Sequence, residues 1–137
     1  MLQCGQGILL SLPRYIGQMP FKSTEPTKKR PFLVVGANPE ANVITLLNVT
    51  SDQFDDAKQA FIPGLLKIYD PVPPFETWSL VQSSGVYIIE YFSELEKRVL
   101  ADGKSLNSKD YIRITERMKS SSALSFNKNE LLECNDF

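Results

Sequence analysis

The sequence predicts a mainly β (α+β) domain, a small β-barrel followed by a C-terminal helix. Three observations predict it. Short apolar runs, about six in all, are rich in Val, Ile, Leu and Tyr and are spaced by turn residues, the pattern of a small antiparallel barrel. Glycine and proline fall between these runs more than within them. The apolar spacing changes to three and four only after Phe92, where helices begin.

Taken in order, Gly7 to Leu12 forms a first strand, closed by Pro13, which has no N–H to continue a ladder. Arg14 to Lys29 carries Gly17, Pro20 and Pro26 with Tyr15, Met19 and Phe21. A connection of this length with apolar content suits a binding loop. The basic cluster Lys28-Lys29-Arg30 then feeds a buried strand, Pro31 to Gly36, and a polar turn, Asn38 to Asn42. A second apolar strand, Val43 to Val49, stops at Thr50-Ser51-Asp52. Asp52 to Ala60 suits one or two helical turns, with Asp55 and Asp56 near the start.

Leu65 to Tyr69 is a further strand, after which Pro71, Pro73 and Pro74 force a turning path. Trp78 to Gln82 and Val86 to Tyr91 are strands joined by Ser83-Ser84-Gly85. Ser93 to Leu100 is a short helix ended by Ala101-Asp102-Gly103. Asn107 caps the better helix, in which Asp110 suits the dipole and Tyr111, Ile114, Thr115 and Met118 form an apolar stripe. Residues 1–120 thus make one barrel with its closing helix, and 121–137 a tail docked on it through Leu124, Phe126, Leu131 and Leu132.

Composition narrows the function classes. A chain of 137 residues with 42% apolar content is the size of one ordinary domain and buries a core without metals or disulfides. Cys4 and Cys134 have no CxxC spacing and there is no histidine, which argues against zinc or histidine-bound iron; reduced thiols explain the pair with less assumption than a disulfide. No metal or other cofactor is expected. No apolar run approaches the roughly 20 residues of a membrane span and the start lacks signal-peptide character, so a soluble, cytoplasmic protein without a membrane partner is expected.

Net charge is -1, against nucleic-acid binding by bulk charge, but residues 1–50 carry +3 and the remainder -4. A basic face on an acidic body suits a confined polyanion site. In an antiparallel hairpin the start of one strand lies beside the end of the next, so Arg30 and Thr50 can face one ligand, and phosphate fits the pair.

Four stretches resemble the MazF/PemK-like toxins of bacterial toxin–antitoxin systems. Gly7 to Leu12 resembles the family's first strand. Ser23-Thr24-Glu25 running into Arg30-Pro31-Phe32-Leu33-Val34-Val35 is similar to its Gly-Ser-Glu loop and Arg-Pro-Val-Leu-Val-Ile strand. Leu47-Asn48-Val49-Thr50-Ser51 resembles its Pro-Ile-Thr-Ser strand end, and Leu106 to Met118 its closing helix. The resemblance implies an SH3-like barrel, usually a homodimer, that cuts single-stranded RNA without metal through attack of the ribose 2′-hydroxyl on phosphorus. It also implies a cognate antitoxin, protein or RNA.

Carried over by position, the resemblance implies that Arg30 and Thr50 are catalytic, with Glu25 and Ser51 in support. A guanidinium suits the charge of a pentavalent phosphorane, and a hydroxyl adds a donor without adding charge. Arginine, with a pKa above about 12, is a poor base, so Glu25 is the better candidate to take the 2′-hydroxyl proton. Lys22, Lys28 and Lys29 are expected to position phosphates, and Tyr15 and Phe21 to stack on bases. Trp78 suits the core or a dimer interface better than base stacking. The rival class is a non-catalytic barrel that binds a protein or nucleic acid; a gyrase-inhibiting toxin on a related barrel is a third.

Overall fold

The computed structural model describes residues 1–16, 29–51, 64–76, 79–118 and 122–137. Its spine is a hairpin of β2 (Arg30–Asn38) and β3 (Val43–Ser51), antiparallel in register from Phe32↔Asn48 to Asn38↔Val43. The turn closes through Asn42 at φ 57, a left-handed conformation that asparagine tolerates. A register shift between Val34 and Gly36 marks a bulge. Gly36 fits it closely, since a Cβ there would meet Thr45 at 3.1 Å.

The hairpin is buried on both faces. Phe32, Val34, Ile44 and Leu46 enter one core with Ile8, Leu10, Tyr87, Ile89 and Phe126. The alternate residues Leu33, Leu47 and Val49 enter a second core with Ile68, Phe75, Val81 and Ile114. Double burial explains why these strands read as continuous apolar runs and not as strict alternation.

Around the spine lie β1 (Gly7–Leu10), β4 (Leu65–Ile68), β5 (Ser79–Gln82), β6 (Gly85–Glu90) and β7 (Ser122–Phe126). The seven strands follow the order β1-β2-β3-β5-β4, with β6 beside β3 and β7 beside β6. One edge of β3 serves two neighbours, its first half (Val43 to Leu46) pairing β6 and its end (Val49 to Ser51) pairing β5. The mainly β class expected from sequence is therefore present. Among the described residues the pairings do not close into a ring, because β1, β4 and β7 each pair with a single strand.

The tail holds more structure than its composition suggested. Ser122–Phe126 runs parallel to β6, from Gly85↔Ser122 to Ile89↔Phe126. Parallel neighbours need a long crossover, and the chain between them includes α1 (Ser108–Arg117). A closing helix, α2 (Lys128–Cys134), begins with a capping box between Asn127 and Glu130 and buries Leu131. Beyond it, Asn135 clamps the end of β1. Its Oδ1 accepts from the Ser11 N–H at 2.8 Å, and its Nδ2 donates to the Ser11 and Leu131 carbonyls, both at 2.8 Å.

Asn135 therefore stands in for a strand partner. Asn135→Ala strands buried polar groups of Ser11 and Leu131, and is expected to lower unfolding free energy by about 2 kcal/mol. Urea denaturation of both proteins measures this; a change below about 0.5 kcal/mol would show the clamp to be dispensable.

The stretch expected to be helical after Phe92 forms a 3₁₀ helix, Ser93–Arg98, that buries only Leu95. A second 3₁₀ turn spans Ala101–Gly103. α1 forms where expected, and the Asn107 side chain accepts from the Asp110 N–H at 2.9 Å. Ile114 is fully buried, with Tyr111 and Met118 packed beside it.

Asp110 does more than complement the helix dipole. At 3% exposure it is a buried hub, accepting from the Tyr69 N–H at 3.2 Å, the Asp70 N–H at 2.9 Å, Asn107 Nδ2 at 2.8 Å and Arg113 Nη2 at 2.9 Å. Arg113 Nη2 also donates to the Lys67 carbonyl of edge strand β4, and its guanidinium lies 4.5 Å from the centre of the Tyr69 ring. This cluster pins α1 to the edge of the sheet.

Residues 52–60, expected to be helical, and Trp78 lie outside the described residues. No helix among the described residues is long and apolar enough to cross a membrane.

Candidate functional site

Arg30 opens β2 and pairs with Leu10 of β1, while Thr50 ends β3 and pairs with Leu80 of β5. The last pair between β2 and β3 at this end is Phe32↔Asn48. There the β2–β3 ladder ends, and Arg30 and Thr50 each lie two residues further along their own strand. Side chains two residues apart on a strand share a face, so Arg30, Asn48 and Thr50 occupy one face of the hairpin mouth.

The surroundings of Arg30 differ from those of a solvated charge at a strand mouth. It is 6% exposed, and its guanidinium lies 5.5 Å from the centre of the Tyr15 ring. Tyr15 in turn meets Tyr87 edge-on at 6.1 Å, and Phe32 meets Tyr87 at 5.8 Å. Tyr87 accepts from the Ile16 N–H at 2.9 Å, and burial pushes its phenol up to about 12, so it stays protonated at neutral pH. The Tyr15 hydroxyl accepts from the Leu12 N–H at 3.2 Å. Tyr15 is thus part of the wall that orients Arg30.

Asn48 is the residue on this face that sequence reasoning passed over. It is 1% exposed, and neither its Nδ2 nor its Oδ1 has a hydrogen-bond partner among the described residues. Such an amide carries a desolvation cost of about 1–3 kcal/mol. The signal was available as the one amide within this strand, flanked by Leu46, Leu47 and Val49 and two residues before Thr50.

Of the other expected site residues, Ser51 is the last residue of β3, opposite Ser79, and Lys29 is half-buried beside Arg30 in sequence. Lys22, Glu25, Lys28 and Phe21 lie outside the described residues.

Pro31 and Val49 alternate to the opposite face, where a cavity of about 250 Å³ is lined by Leu9, Pro31, Val49, Thr50, Phe75, Glu76 and Ser79. Thr50 borders this cavity, whereas Arg30 is not among its lining residues. Among the described residues no group of three or more Asp, Glu or Cys side chains gathers to hold a metal ion, and both cysteines are free thiols.

Chemically, the face offers a planar two-donor fork, a hydroxyl and an amide that both donates and accepts. That set matches a phosphodiester with its adjoining sugar better than an apolar ligand. No protein-family model matches the chain, and no curated protein is significantly similar to it.

Proposed function

We propose that the chain is the toxin of a toxin–antitoxin pair, a metal-independent endoribonuclease acting on single-stranded RNA. The observation that supports this reading is the Phe32↔Asn48 pair, because strand alternation gives Arg30 and Thr50, each two residues beyond it, the same side of the hairpin mouth. In this reading the sheet is a variant of the SH3-like barrel, works as a cytoplasmic homodimer, and is held inactive by a protein or RNA antitoxin.

The ribose 2′-hydroxyl attacks the adjacent phosphorus, and the 5′-oxygen of the next nucleotide leaves, giving a 2′,3′-cyclic phosphate. Arg30 stabilises the charge that gathers on the non-bridging oxygens, and the aromatic wall of Tyr15 holds its guanidinium in place. Thr50 donates a further hydrogen bond to the same oxygens. Glu25 takes the 2′-hydroxyl proton, and water supplies a proton to the departing 5′-oxygen, which leaves as a 5′-hydroxyl. Alignment of nucleophile, phosphorus and leaving group supplies much of the acceleration.

The test is incubation of purified protein with a long single-stranded RNA in EDTA, followed by mapping of the ends. Cuts at a short recurring sequence bearing 2′,3′-cyclic phosphate are expected. Intact RNA at high protein concentration would overturn the reading.

The second reading, a binding module without turnover, is favoured by one observation, the 6% exposure of Arg30. Retention of the RNA on the protein without cleavage is its distinguishing result.

A further inference from the structure

We propose that Asn48 is a sugar-reading residue, with its Oδ1 accepting from a ribose 2′-hydroxyl and its Nδ2 donating to a phosphoryl oxygen of the same nucleotide. The inference rests on the reading of this face as an RNA site and adds a substrate-discriminating residue to it.

A polar side chain at 1% exposure ordinarily has its donors and acceptors paired, and Asn48 has neither among the described residues. An apolar residue at this position would continue the strand, whose neighbours Leu46, Leu47 and Val49 are all buried in the cores. An amide is thus held where folding alone gives no reason for one.

Its position bears on what it can meet. Asn48 lies two residues from Thr50 on one face of β3 and diagonally across the ladder from Arg30, through its partner Phe32. Diagonal neighbours on a sheet are about 7–8 Å apart, within reach of a ligand that spans both. A single phosphate held by Arg30 uses the amide only as a donor and leaves Oδ1 unmatched. A phosphate with an adjacent hydroxyl uses both ends. The 2′-hydroxyl is also the group that distinguishes RNA from DNA.

The experiment titrates wild type and Asn48→Leu with ribodinucleoside monophosphates and with their 2′-deoxy counterparts, following binding by amide NMR at low temperature. Wild type is expected to bind the ribose form about 5–10-fold more tightly, the worth of one hydrogen bond. Asn48→Leu is expected to bind both forms equally and to melt no lower than wild type, since it removes a buried, unmatched amide. Asn48→Asp keeps the acceptor and nearly the same shape, and is expected to retain the ribose preference while binding both forms more weakly. It keeps the test decisive if leucine disturbs the packing.

Equal binding of both forms by wild type, binding of neither, or an undiminished preference in a folded Asn48→Leu protein would each overturn the inference. The nuclease reading fails separately. A ribose preference that depends on Asn48, in a protein that leaves long RNA intact, retains the sugar-reading role and rejects cleavage. Cleavage with the preference unchanged in Asn48→Leu does the reverse.

Discussion

Replacing Arg30 by alanine is expected, on the proposed ribonuclease reading, to reduce RNA cleavage about 10²–10³-fold, the usual effect of removing one donor that stabilises charge developing in a transition state. The burial of Arg30 shapes how this must be measured. At 6% exposure and packed on Tyr15, its side chain also contributes to the hairpin mouth, so Arg30→Ala is expected to cost about 1–3 kcal/mol of stability as well.

Arg30→Lys separates the two effects. Lysine keeps the charge and most of the apolar stem but loses the planar fork, so the protein should melt close to wild type while cleavage stays depressed by about 10²-fold. Single-turnover cleavage by all three proteins, at a temperature where each is folded, provides the comparison. Near wild-type cleavage in a folded Arg30→Lys protein would reduce Arg30 to a general source of positive charge; cleavage surviving in folded Arg30→Ala as well would remove it from the site.

The largest stability effect is expected at Asp110, far along the chain from Arg30. Burial alone would raise its carboxyl pKa. Hydrogen bonds from Asn107, Arg113, Asp70 and Tyr69 outweigh burial and hold it at about 2, against an ordinary value of 3.8. Because the folded value is depressed, the ionised form stabilises the native state. That contribution is complete above about pH 4 and is lost as the pH falls through about 2, and it amounts to about 2 kcal/mol.

Asp110→Ala goes further, since it leaves two backbone N–H groups and the Arg113 guanidinium without their acceptor; a loss of about 3 kcal/mol at pH 7 is expected. Urea unfolding of wild type and variant between pH 7 and pH 2 tests both statements. The difference between them should be greatest at neutral pH and shrink toward pH 2. A difference that is constant across the range would show that the carboxylate charge contributes nothing and that only side-chain volume matters.

What was legible in the sequence is local. By itself it determined the mainly β class, the positions of β1 to β6, the Asn38–Asn42 turn and the Asn107 cap of α1, because each depends on the chemistry of neighbouring residues: an apolar run, a turn residue, a side chain that caps its own helix. It also nominated Arg30 and Thr50 as a site, from the general rule that a hairpin brings strand start and strand end together.

Tertiary structure alone decided the rest. Ser122–Phe126 is weakly apolar and becomes a strand only because β6 has a free edge to pair with. Asp110 reads as a dipole partner in sequence and becomes a hub because β4 ends against it, 40 residues away in the chain. Asn48 and Arg30 are polar residues whose burial depends on the walls that close around them, and those walls come from distant segments. A sequence displays donors, acceptors and their spacing; which of them lose water, and what then faces them, is set by long-range packing.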